Sequence, residues 1–252
     1  MAPSSNSVDA AAGASPRHSS AARLWGAIVS PVQTFEEIAG DPHFILCLSL
    51  QAAVAAVLWF FMLHRVGAVP MVQQAMAQSG RAQGMDPATL QRAVAVTARL
   101  YQYMPAGIAL GVLLGTLVMS WIVQGVANAL LGRNARFKQA LAVTSHAFLP
   151  ELVRSLVAAL VLALMADPSR FNYLNPLGDN LGFYLSRAAV GPFLFALAGH
   201  LSLFSLWVLI LLAIGIARLD LRKKGIAGPF WALFSLWLFY ILAASALAGV
   251  SG

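Results

Sequence analysis

The sequence predicts an all-α membrane protein, a bundle of about five transmembrane helices with amphipathic helices at the membrane interface. Three observations predict it. Residues of the AVILMFWYC class make up 60% of the 252 positions and charged residues only 10%, whereas a soluble domain carries roughly 25% charge to cover its surface. The mean hydropathy is +0.76, so the folded chain needs an apolar solvent. The apolar residues also gather into long uncharged runs, and in hydrocarbon only helices and closed barrels satisfy their own backbone groups.

Residues 1–23 are Ala/Ser-rich with no apolar core before Leu24, so a disordered tail is expected rather than a signal peptide. The spans are expected at about 44–66, 105–131, 145–166, 190–217 and 229–249. Phe44 to Leu63 is 20 residues without a charge and Pro105 to Leu131 is 27, each enough to cross a hydrocarbon layer of ~30 Å. Gln139 to Ala166 is interrupted by His146, Glu151 and Arg154. Ala188 to Ala217 holds only His200 as a titratable group, and no charge follows Lys224.

The connections carry their own signals. Ser30 as N-cap and Pro31 at the first position predict a short helix over 31–40. Val32, Phe35, Ile38 and Ala39 share one side of it, which suggests a helix lying in the interface. Asp86-Pro87 starts a second amphipathic helix, with Leu90, Val94, Thr97, Tyr101 and Met104 on one face. Residues 167–187 contain Asp167-Pro168, Asn175-Pro176, Gly178 and Gly182, the composition of a turn-rich loop.

Charge sets the orientation. The tail, the 132–138 loop and the 218–224 loop hold nine Lys and Arg, against six on the opposite side (Arg65, Arg81, Arg92, Arg99, Arg170 and Arg187). The denser clusters are expected in the cytosol, giving an N-terminus inside and a C-terminus outside. The net charge of +7 falls in short clusters between apolar runs, which suits loops beside an anionic membrane and not a nucleic-acid face. Cys47 is the one cysteine, so neither an intrachain disulfide nor a multi-thiolate metal site is expected. No H-E-x-x-H, G-x-S-x-G or phosphate-binding glycine loop occurs, and the expectation is a non-enzyme without cofactor or metal.

Polar residues inside spans are the candidate functional positions. Thr116, Ser120, Gln124 and Asn128 recur every four residues, which puts them on one stripe, read as interhelical hydrogen bonding or the lining of a polar pathway. Gly107, Gly111 and Gly115 form a repeated G-x-x-x-G, a surface for close packing of another helix. Together the two stripes predict that the second span is the central helix. Glu151 and Arg154 are three apart and can pair. They stand either in the first cytosolic turn of the third span or at depth beside a Pro150 kink, and the interfacial placement is the one expected. His146 and His200 are the histidines well inside spans, where axial haem ligation or a proton relay is the alternative to ordinary hydrogen bonding.

Several short motifs resemble bacterial members of the Yip-domain (Ypt/Rab-interacting protein) family. Ser30-Pro31 with Thr34-Phe35 and Asp41-Pro42 looks like its opening. Gly132, Phe137-Lys138-Gln139 and Leu141-Ala142-Val143 leading to Pro150 resemble its link into the third span. Asp167-Pro168, Asn175-Pro176, Asn180-Leu181-Gly182, Leu206-Trp207 and Gly215 resemble the region of its fourth and fifth spans. The likeness runs over about residues 24–249 in the family's order, and implies a five-helix membrane domain over 24–252 with a cytosolic N-terminus. Eukaryotic members bind Ypt/Rab-type GTPases or their membranes; residues 1–23 stand where those members carry a cytosolic domain, so the likeness implies a fold more than that role. The use of 13 Arg against 3 Lys fits a bacterial cytoplasmic membrane.

Three functions follow as expectations. The first is a non-enzymatic scaffold or adaptor whose partners are the lipid bilayer and other integral membrane proteins, or a second copy, with no nucleic acid. The second is a transporter component using the Thr116–Asn128 stripe and Glu151/Arg154. The third is a membrane enzyme or haem subunit using His146 and His200.

Overall fold

The computed structural model describes residues 19–80, 82, 84–220, 222 and 225–250. Of the expected tail over 1–23, residues 1–18 lie outside the described residues, as do Arg81, Lys223 and Lys224, while Ser20–Arg23 form the first turn of a helix. Among those described, every regular element is a helix.

Two short helices open the chain, α1 (Ser20–Val29) and α2 (Pro31–Gly40). Pro31 starts α2 as read from the sequence, although Ser30 makes no side-chain capping bond. The apolar side of α2 packs on the bundle. Thr34, Phe35 and Ile38 are buried while Val32 is exposed, because α2 inserts against the helix that ends the fourth apolar run. Phe35 and Ile38 join the main core with Val143, Leu212 and Ile216, and burial of a Phe side chain contributes about 1.5–3 kcal/mol.

Four helices are long and apolar enough to cross a membrane. They are α3 (Ile45–Val66), α6 (Met104–Gly125, prolonged by a π-helical turn over Val126–Leu130), the pair α7 (Phe137–Ala147) and α8 (Leu149–Leu164), and α11 (Ala227–Val250). Residues 137–164 act as one span kinked at Phe148, since Pro150 has no N–H to bond the carbonyl four residues back. The expected fourth span is instead two helices, α9 (Arg187–His200) and α10 (Leu203–Arg218), broken at Leu201–Ser202. Ser202 Oγ caps α10 by accepting from Phe204 N at 3.2 Å. Gly191, with φ +77°, interrupts α9 itself, a backbone region that glycine enters without a Cβ penalty.

The long connection after α3 is a hairpin, α4 (Ala68–Ser79) and α5 (Pro87–Tyr101). Helix α4 has no strong sequence signal, whereas Asp86 caps α5 as expected, its Oδ1 accepting from Ala88 N at 3.1 Å and Thr89 N at 3.0 Å. The Thr89 side chain, together with those N–H bonds, holds the Asp86 carboxyl below its ordinary value.

Long-range bonds sort the connections to two ends. At one end, Arg218 pairs with Glu36 at 3.1 Å, Gln139 Nε2 donates to Ala39 O at 2.8 Å, and Arg133 Nη1 donates to Ala217 O at 3.1 Å. Arg23, only 3% exposed, reaches Asp41 O at 2.9 Å. Burial pulls the Arg133 guanidinium below its ordinary value. At the other end, Gln74 Nε2 donates to Phe171 O at 2.9 Å, Gln78 Nε2 to Asn172 Oδ1 at 3.1 Å, and Arg187 to Gln78 O. The described members of the three Lys/Arg clusters thus meet at one face of the bundle, and the described parts of the two longer loops at the other.

Candidate functional site

The spans do not close into a ring. Helix α6 packs on α3 and α7, α3 on α8, α8 on α10, and α10 on α11. Helix α11 meets the second span mainly at the π-helical turn. Away from that turn a cleft of about 1020 Å³ opens between α6 on one side and α8, α10 and α11 on the other. The second span thus meets two other spans along its length and α11 at its π-helical turn, while its glycine side opens onto the cleft.

Gly107, Gly111 and Gly115 face this cleft. A Cβ built on any of the three would meet nothing within 4 Å, so the ladder does not pack against another helix of this chain. The close-packing glycine is Gly215 on α10, where a Cβ would sit 2.3 Å from Val143 Cγ1 and 3.3 Å from Phe35 Cδ1. A helix that must pass both α2 and α7 at that point has no room for a side chain.

The polar stripe of α6 turns towards its packed neighbours, with Thr116 and Ser120 buried. Its bonds are not interhelical. Thr116 Oγ1 donates to Val112 O at 2.8 Å and Ser120 Oγ to Thr116 O at 2.6 Å, each to the carbonyl four residues back on the same helix, a common arrangement for hydroxyls in helices. Gln124 Nε2 and Asn128 Nδ2 both donate to Ala135 O, at 3.1 and 2.9 Å, and Ala135 N donates to Asn128 Oδ1 at 2.6 Å. These amides tie the 132–136 loop to the end of the second span.

His146 is 2% exposed, with Nδ1 at 2.8 Å from Ala142 O. His200 stands edge-on to Tyr240 with centroids 5.9 Å apart. The two histidines have separate partners, and among the described residues no three His, Cys, Asp or Glu side chains are grouped as metal ligands.

Glu151 is the fifteenth of the 28 residues of the kinked span Phe137–Leu164. It stands midway along it and in the first turn of α8, just after the kink, and lines the cleft beside Gln51, Phe148 and Ser155. Arg154 Nη1 lies 3.8 Å from Glu151 Oε2, but its Nε donates to Asp179 Oδ2 at 3.1 Å. The same Asp179 Oδ2 accepts from Ser202 Oγ at 2.5 Å, and Asp179 O accepts from Leu203 N at 3.0 Å. The 165–186 loop thus folds back along α8 by about ten residues, ~15 Å of helix, to reach Arg154 and the α9–α10 break. Gly182 permits the descent, since a Cβ there would be 2.8 Å from Gly199 Cα.

Asp179 escapes sequence reading because Asp among Asn, Pro and Gly reads as a turn former. Gln51 was open to the rule applied to the other spans. It is a polar residue inside an uncharged run, and it donates at 2.7 Å to Ser145 O beside the kink.

Comparison with curated proteins and with solved structures finds no match. A family model does match: the Yip1 domain, over residues 25–246. That range takes in α3, α6, α7, α8 and all but the last turn of α11, and the chain belongs to the Yip1-domain family.

Proposed function

We propose that this chain is a non-enzymatic adaptor of a bacterial cytoplasmic membrane, with its N-terminus in the cytosol and its C-terminus outside. It acts by receiving a transmembrane helix of another membrane protein in the cleft between α6 and α11. The observation that supports this reading is the empty glycine ladder. Gly107, Gly111 and Gly115 present bare backbone over two turns of α6 with open space before them. Such a surface lets a second helix backbone approach closely, which is how helices associate in lipid without a hydrophobic driving force. The wall of the cleft runs along α6 from Gly107 to Ile122, about 22 Å at the rise of an α-helix.

Photo-crosslinking in living cells tests the reading. A benzoyl-phenylalanine at Val112, inside the cleft, should trap a membrane-spanning protein, and Gly111→Leu should abolish the adduct. The same label at Val57, exposed on α3, should trap no such protein. An adduct at Val112 that survives Gly111→Leu would count against the docking role.

Transport is the second reading, and the α9–α10 break supports it better than the Thr116–Asn128 stripe does. Discontinuous helices are common at transporter binding sites. Substrate-dependent protection of a cysteine placed at Ser205, on the cleft wall, would favour it.

A further inference from the structure

Three formal charges meet beside the cleft: Glu151 lines its wall, and Arg154 and Asp179 stand next to it. Two are negative and one is positive, and the geometry decides which carboxylate holds the guanidinium. Asp179 is only 6% exposed and takes a direct bond from Arg154 Nε at 3.1 Å, supported by Ser202 Oγ. Its Oδ1 finds no donor among the described residues, so it could not give up the Arg154 bond without leaving both oxygens poorly satisfied. Glu151 is 36% exposed and stands 3.8 Å from Arg154 Nη1, beyond hydrogen-bond reach. Arg154 is therefore hydrogen-bonded to Asp179 and only in ion-pair range of Glu151, so two carboxylates share one guanidinium and the cluster keeps one excess negative charge, on the side of Glu151 that opens onto the apolar cleft.

A carboxylate at that depth is costly unless an opposite charge joins it. The other polar groups of the cleft, Gln51, Ser155, Ser205, Thr116 and Tyr240, are neutral. Among the described residues no Lys or Arg lines the cleft, and the nearest, Arg154, faces a smaller pocket beside it. We infer that the transmembrane helix received by the cleft carries a Lys or Arg near its middle that pairs with Glu151. This rests on the adaptor reading above and adds the chemistry of the partner. The extended glycine wall favours a rod-shaped occupant, and the unmatched charge gives that rod its sign.

Synthetic transmembrane peptides of about 20 Leu and Ala residues test it, one with a central Lys and one with a central Leu. Each carries a fluorophore, and binding is read by energy transfer from labelled full-length protein in phosphatidylcholine vesicles. The Lys peptide should bind wild type about tenfold more tightly than the Leu peptide. Glu151→Gln should erase that preference while leaving the Leu peptide unchanged, and Glu151→Asp should keep part of it. Gly111→Leu should weaken both peptides. Equal binding of the two peptides to wild type, with both lost in Gly111→Leu, overturns the charge inference and leaves the adaptor reading standing. Failure of both peptides to bind wild type, or indifference of both to Gly111→Leu, sinks the adaptor reading and the charge inference with it. Tetraphenylphosphonium binding that Glu151→Gln removes, with no peptide bound, would likewise overturn the inference by assigning the cleft to small lipophilic cations.

Discussion

Arg154 on the third span donates to Asp179, 25 residues later in a loop, and so fixes the loop to mid-span. Asp179 in turn receives Ser202 at the start of α10, which makes one carboxylate the junction of α8, the 165–186 loop and the broken helix. Removing one partner of such a pair leaves the other uncompensated. Asp179→Asn should lower the thermal midpoint in detergent, with a loss of about 1–3 kcal/mol. A double-mutant cycle should show stronger coupling of Arg154 with Asp179 than with Glu151, which lies farther away at 3.8 Å. Equal coupling in the two cycles would refute the assignment of Arg154 to Asp179.

The glycines of α6 and α10 should respond in opposite ways to the same change. Gly215→Ala places a methyl against Val143 and Phe35 and should cost about 1–3 kcal/mol by overpacking. Gly111→Ala meets open space and should leave stability unchanged or raise it by up to about 1 kcal/mol through helix propensity. Thermal unfolding of the two variants in one detergent decides the matter, and similar losses for both would contradict an open ladder.

How much of this could be read in the sequence follows from the range of each interaction. Hydropathy and length are properties of single runs, so the spans at 44–66, 105–131 and 229–249 are legible directly, as is the Asp86-Pro87 start of α5. The break at Leu201–Ser202 is not, because Ala188–Ala217 stays apolar through it and the cap at Ser202 uses a serine that also suits a buried helix. The glycine ladder is legible as a small-residue surface, but whether a helix of this chain fills it depends on where α11 lies. The Thr116–Asn128 stripe shows the same limit. Its periodicity places all four residues on one face, yet the carbonyls that take their hydrogen bonds are those of their own helix and of Ala135. Glu151 and Arg154 are visible as a pair, and the partner that separates them comes from a loop whose composition signals only turns.

Tyr101 and Tyr173 join the α4–α5 hairpin to the 165–186 loop through hydroxyls 3.0 Å apart, and Trp59 packs on both rings. Burial, reinforced by the Tyr101 bond, raises the Tyr173 phenol above its ordinary value of 10.0. The neutral phenol is thus the form the fold favours. Its contribution is complete below pH 10 and is lost as pH rises towards the raised folded value. The wild-type thermal midpoint should therefore fall between pH 9 and 11 more steeply than that of Tyr173→Phe. At pH 8 the substitution itself should cost about 0.5–1.5 kcal/mol for the lost bond. Parallel pH profiles for the two proteins would remove this hydroxyl pair from the energetics.

Sidedness gives the last prediction. Asn134 lies in the loop that Gln124 and Asn128 clamp, at the end where Arg133, Arg218 and Arg23 gather. Ser79 closes α4 at the opposite end, next to the Gln78–Asn172 contact. Both are exposed, so labelling reports the side of the membrane and not burial. In a chain with Cys47 replaced by Ala, Ser79→Cys should react with an impermeant maleimide added to intact spheroplasts, and Asn134→Cys only after lysis. Cys47 can be replaced because its sulfur makes only weak bonds, donating to Ser145 O at 3.3 Å and accepting from Gln51 Nε2 at 3.1 Å, and Gln51 keeps its own bond to Ser145 O. The Lys/Arg excess predicts this orientation, and the long-range bonds at each end of the bundle require only that the two positions differ. Reaction at Asn134 alone would invert the protein while keeping the fold, and reaction at both would break the separation of the two ends.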